Sequence, residues 1–134
     1  MGQKASTTRE FTPDAKPPKR ENEENSLKAT QKRLGVNVIQ KDSKMTMKTE
    51  SFIVDAIVIE KQKHSGNSNE IANEIANEIA LAIKQKLDGQ FCGFWNVMIK
   101  KESLAESGYA ISYVSGSHIQ LTYESDRYSV FRSK

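Results

Sequence analysis

The sequence predicts an α+β domain in which two helices pack on one face of a short antiparallel sheet. Between about residues 45 and 87, apolar residues recur three and four apart, which is helical spacing. After Gly93 the period changes to two, which is strand spacing. A single β-branched stretch precedes the helices, so the order is strand, helix, helix and then a run of strands, a segregation that favours an antiparallel sheet with its helices on one side.

The chain opens with a segment that has no core-forming pattern. Residues 1–35 hold all three prolines, Pro13, Pro17 and Pro18, many charges, and only scattered apolar side chains such as Phe11, Leu27 and Leu34. Such a composition buries too little apolar surface to offset the entropy of ordering, so a disordered tail is expected, followed by one domain over 36–134. The domain begins with Val36-Asn37-Val38-Ile39-Gln40-Lys41, whose partial alternation reads as an outer strand.

Met45, Phe52, Ile53, Ala56, Ile57 and Ile59 predict a first helix over about 45–63, ended at His64-Ser65-Gly66. The second helix, about 68–87, carries Asn-Glu-Ile-Ala three times in succession. The repeat places Ile71, Ile75 and Ile79 four apart, and Ile83 and Leu87 extend the stripe to Asp88-Gly89. A coiled coil is the rival reading of that repeat, and one short helix is little to build it from. Phe94–Ile99, Tyr109–Ser115, Ile119–Tyr123 and Tyr128–Phe131 then read as four short strands between polar or glycine-containing turns.

Composition limits the chemistry. The formal charge of +3 is small and both signs are interspersed, so nucleic acid is not an expected partner. No apolar run approaches the roughly 20 residues of a membrane span, and the polar first residues do not look like a secretory signal. Two histidines, His64 and His118, and one cysteine, Cys92, are too few for a zinc site or most nucleophilic arrangements, and no phosphate loop or dinucleotide fingerprint can be assembled. His64 reads as a solvated helix end, His118 as a structural group opening a strand, and Cys92 as a packed thiol. A non-enzyme without cofactor or metal is therefore expected, with a small enzyme as the weaker alternative.

The stretch from Val36 to Lys134 resembles the small, homodimeric hub type of dynein light chain. Val38-Ile39-Gln40-Lys41 falls where that family has its first strand, and Phe94-Trp95-Asn96-Val97-Met98-Ile99 looks like its tryptophan-led strand after the second helix. Ser112-Tyr113-Val114-Ser115 is similar to its Ser-Tyr-Val-Thr strand, His118-Ile119 to its His-Phe, and Phe131-Arg132-Ser133-Lys134 to its closing Phe-Lys-Ser. The resemblance implies a dimer in which the Tyr109–Ser115 strand crosses to the partner's sheet and an extended target segment adds beside it. It implies a peptide site of Ser112, Tyr113, Val114 and Ser115 at the edge, Ile119, Leu121 and Tyr123 on the groove floor, and Asn69 and Glu70 at the start of the second helix. It implies a dimer interface of Trp95, Asn96, Tyr109, Ile111 and Tyr113. The partners expected are dynein intermediate chains and a second light chain, either another copy or a different member, in the cytoplasm and cytoskeleton.

Several departures mark a diverged member, of the kind expected in the outer-arm dynein of the cilium or flagellum axoneme. The connection from Lys100 to Gly108 is longer than the family's, and the loop after Ser115 is shorter. Asn96 stands where many members have histidine, and Ser115-Gly116 replaces a Thr-His pair. The tail adds two features. Met1-Gly2-Gln3-Lys4-Ala5-Ser6 fits the N-myristoylation pattern at Gly2, and the alternative function is a membrane-tethered adaptor using the same groove; a membrane partner requires that acylation. Lys28-Ala29-Thr30-Gln31-Lys32 is similar to segments the family's grooves accept, which raises the expectation of a tail that folds back as an added strand.

Overall fold

The computed structural model describes residues 16–64, 73–102 and 112–133. The elements are α1 (Lys16–Leu34), β1 (Val36–Lys41), α2 (Met47–Lys63), α3 (Asn73–Phe91), β2 (Trp95–Lys101), β3 (Ile119–Tyr123) and β4 (Asp126–Arg132). The chain divides into two compact units, residues 1–30 and 31–134.

The described part of the first unit, residues 16–30, is helical where the sequence raised the expectation of a disordered tail. Scarce apolar residues exclude a core-building segment, but Glu, Lys, Ala, Leu, Gln and Arg are good helix formers, and Pro17 and Pro18 fall in the first turn, where no backbone donor is needed. Lys32 and Arg33 in the last turn complement the helix dipole. Gly35, at φ +81°, donates its N–H to Lys32 O and ends the helix in the left-handed conformation glycine tolerates best. Because Lys28–Lys32 lies within α1, it does not form an added strand.

In the second unit, Gln31 and Lys41 converge on Glu50, a carboxylate buried in the first turn of α2. Gln31 Nε2 donates to one oxygen and Lys41 Nζ to the other, each at 2.6 Å, so the buried charge is paired and hydrogen-bonded. Thr46 caps α2 by accepting from Thr49 N. The buried face of α2 is Ile53, Val54, Ala56, Ile57 and Val58, while Ile59, expected on that stripe, is 46% exposed. α3 buries Ile79, Ile83 and Leu87 completely and continues past Gly89 to Phe91, whose ring meets Phe52 edge-on at 5.2 Å. Ile71 and the predicted start of this helix lie outside the described residues.

The sheet order is β1-β3-β4-β2, with every neighbouring pair antiparallel. Alternation decides which side chains meet the helices. Trp95 packs on Phe91, and Ile119, Leu121, Tyr123, Tyr128 and Val130 join the same core. The α+β architecture of two helices on a short antiparallel sheet is thus as expected, with α1 as an additional helix. Of the Tyr109–Ser115 strand, residues 112–115 are described, and they form a single bridge, Tyr113 to Ser133, rather than a strand.

Candidate strand-addition interface

A four-stranded open sheet has two outer edges, and they differ. The β1 edge is interrupted by a bulge between Val38 and Gln40 that leaves Ile39 43% exposed, a device that discourages further pairing. The β2 edge is regular. Its seven residues pair in unbroken register with β4, from Trp95 opposite Arg132 to Lys101 opposite Asp126.

The direction of the backbone groups follows from two hydrogen bonds. Ser133 N donates to Phe94 O at 2.9 Å and Glu102 N donates to Ser125 O at 2.8 Å. Antiparallel alternation then turns the even-numbered residues of β2 toward β4 and the odd-numbered ones outward. Trp95 N, at the start of the outer edge, is taken by Asp88 Oδ1 at 3.0 Å. Lys84 and this N–H together hold the Asp88 carboxyl below its ordinary range. Val97 and Ile99 are left with outward backbone groups that have no partner among the described residues.

Two anchors lie on either side of residues 103–111 in the chain. At the exit, Arg127 grips Glu102 through two bonds, Nε to Oε1 at 2.8 Å and Nη2 to Oε2 at 3.0 Å. At the return, Val114 N donates to Arg132 O, and both the N–H and the hydroxyl of Ser117 donate to Val114 O. Gly116 N donates to the Asp42 carboxylate, whose other oxygen accepts from Lys44 N. The Lys44 and Gly116 amides draw the Asp42 carboxyl below its ordinary range. Glycine is required at 116, where φ is +87° and a Cβ would stand 3.2 Å from Lys44 O. Tyr113 stacks on His118 at 5.0 Å, and burial pushes the His118 imidazole down despite the opposing pull of Asp42.

The expected site residues separate into three sets. Ser112 and Ser115 are exposed and Tyr113 and Val114 half-buried at the return anchor, where an edge-forming segment would end. Ile119, Leu121 and Tyr123, expected on a groove floor, turn to the helices by their parity on β3, with Ile119 and Leu121 fully buried and Tyr123 accepting from Gln62 Nε2. Trp95, expected at a dimer interface, is 2% exposed against Phe91, whereas Asn96 is half-buried on the opposite face of β2. Asn69, Glu70, Tyr109, Ile111 and Gly2 lie outside the described residues.

One feature escaped the sequence reading. Phe94 is 77% exposed and holds φ +75°, a left-handed conformation that costs a bulky residue roughly 1–2 kcal/mol. Met98 is also exposed, and Phe131 is half-buried opposite Asn96. The alternation against Trp95, Val97 and Ile99 was available in the sequence, but apolar residues on both faces of β2 obscured it.

Among the described residues, no group of three His, Cys, Asp or Glu is arranged to hold a metal ion. His64 caps the C-terminus of α2, and Cys92 is exposed in the link to β2.

No protein-family model matches the chain, and no curated protein does. Solved structures match its fold. The dynein light chain-like domain of the Fasciola hepatica calcium binding protein FhCaBP2 aligns with a TM-score of 0.57 at 15% identity, covering 75% of this chain and 93% of that one. The dynein light chain-like domain of CsTAL3 aligns with a TM-score of 0.52 at 15% identity, covering 73% and 92%. The chain therefore has a dynein light chain-like fold.

Proposed function

We propose that this chain is a non-catalytic light chain that pairs through its β2 edge and holds an extended segment of a partner protein by strand addition. The observation that carries the reading is a complementary pair of deficits. Among the described residues the outer edge of β2 has no paired strand at Val97 and Ile99, and Tyr109–Ser115 has strand patterning, yet its described part makes one bridge within its own chain. A second subunit removes both deficits at once, because each copy's segment lies on the other's β2 and the arrangement closes on a two-fold axis. The two anchors support this geometry by fixing where the crossing segment leaves and returns.

Once added, the crossing strand becomes the new outer edge of each sheet, and a target segment lies beside it. Backbone bonds supply affinity there, and two linked sites hold a bivalent partner more tightly than one. Since Ile119, Leu121 and Tyr123 are committed to the core, selectivity in this chain falls to the crossing strand itself and to the start of α3. The partners proposed are dynein intermediate chains, and the setting is a motor complex, first of all ciliary outer-arm dynein. The subunit's work is assembly rather than turnover.

Native mass spectrometry of the complex purified from its own source tests the proposal. Recovery of two light chains, identical or different, on intermediate-chain segments is the expected result. A chain recovered only as a monomer without motor subunits overturns it.

A further inference from the structure

We infer that Phe94 is the aromatic anchor by which a second copy of this chain is held. The inference rests on the pairing proposed above and names the side chain that dominates it.

Phe94 combines exposure with constraint. Its ring is 77% exposed, yet its carbonyl accepts from both Ser133 N and Asn96 Nδ2, and the neighbouring backbone is fixed by Asp88 to Trp95 N and by Arg132 Nη1 to Phe91 O. The left-handed conformation suits Gly or Asn far better than Phe. An exposed aromatic residue kept in a backbone conformation it disfavours contributes nothing to the stability of the single chain. A contact outside the chain gives the ring a use, and a backbone fixed in advance lowers the ordering cost of binding.

The surroundings point to a second copy rather than to a different protein. Phe94 lies beside the outer β2 edge, which has no paired strand among the described residues, with Met98 farther along the strand and Phe131 across the ladder from Asn96. Ser129 pairs with Met98, Ser133 N donates to Phe94 O, the guanidinium of Arg132 is turned to Phe91 O, and the first formal charge along β2 is Lys100. Residues lying on a two-fold axis meet their own copies, so charged residues there would repel and neutral ones do not. Aromatic residues in neutral, desolvated centres are where binding energy concentrates.

Sedimentation velocity on the full chain tests the assignment with Phe94→Asn, which accepts the left-handed backbone and lacks the ring. The dimer dissociation constant should rise by about a hundredfold, because each dimer loses two anchors. Urea unfolding at concentrations where both proteins are monomeric should show a stability unchanged or raised, and Phe94→Trp should restore pairing to within about tenfold. A Phe94→Asn chain that pairs within threefold of the natural one overturns the anchor while the pairing itself stands. A natural chain that remains monomeric at every concentration overturns the pairing and the anchor together.

Discussion

Replacing Asp42 with Ala tests the return anchor, the contact that ties the loop after β1 to the turn before β3. The Asp42 carboxylate accepts from Lys44 N and Gly116 N. Lys44 N is exposed, and water replaces the lost bond at a cost of about 0.5 kcal/mol. Gly116 N is part-buried and cannot be resolvated without opening the turn, which costs about 1–2 kcal/mol more. The sum, about 2 kcal/mol, corresponds to a fall of roughly 10 °C in the melting temperature of a domain this size. The sign of the pH effect follows from the lowered carboxyl: its stabilisation is present above the unfolded value of 3.8 and is lost as pH falls through the folded value. Thermal unfolding of Asp42→Ala near neutral pH, with Asp42→Asn followed from pH 6 to pH 2, measures both effects. The Asn variant should lack the acid-dependent loss attributable to this group. A change under 0.5 kcal/mol for Asp42→Ala would refute the anchor.

Three further outcomes are expected. The β3–β4 turn places Glu124 and Ser125 at φ 51° and 72°, so Ser125→Gly should stabilise the fold by about 1 kcal/mol in urea unfolding, and a loss would contradict the strain assigned to the turn. Lys61 is buried 3.1 Å from Glu124 and 3.5 Å from Asp126, and Lys61→Met should cost about 3 kcal/mol by stranding Asp126; Asp126→Asn in the same chain should recover part of that loss. Burial already pushes the Asp126 carboxyl up against the pull of Lys61, which is why neutralising it is the effective remedy. His118 has its imidazole pushed down, so the folded state prefers the neutral ring, and stability should fall as pH drops below about 6.5. His118→Phe keeps the stack on Tyr113 and should flatten that part of the profile, and an unchanged pH slope would remove His118 as its cause.

The parts of this fold legible in the sequence are those set by periodic burial. Ile79, Ile83 and Leu87 recur at the spacing of one helix face, and all three are fully buried. The alternation of Ile119, Leu121 and Tyr123 identifies β3, but the same alternation assigns them to the core, and resemblance alone had placed them in a groove. Ile59 was misplaced because Val54 and Val58 carry the stripe around the other side of α2. α1 was missed because low hydropathy argues against core packing and is neutral toward a helix of strong helix formers. Contacts between distant charges leave no periodic trace, so neither the Glu50 clamp nor the Lys61 pairing could be read in advance. The described part of the strand expected over Tyr109–Ser115, residues 112–115, forms a single bridge, and a period-two pattern alone does not specify a pairing partner.

Amide hydrogen exchange at Val97 and Ile99, followed by NMR on the natural chain across a dilution series, tests the central claim most directly. Their N–H groups point away from β4 along the outer edge, while that of Met98 points into the ladder. Addition of a partner's strand predicts that Val97 and Ile99 are protected as strongly as Met98 at high protein concentration and lose that protection on dilution. Fast exchange at both positions at every concentration, with Met98 protected throughout, would show that the β2 edge stays open and would contradict the account.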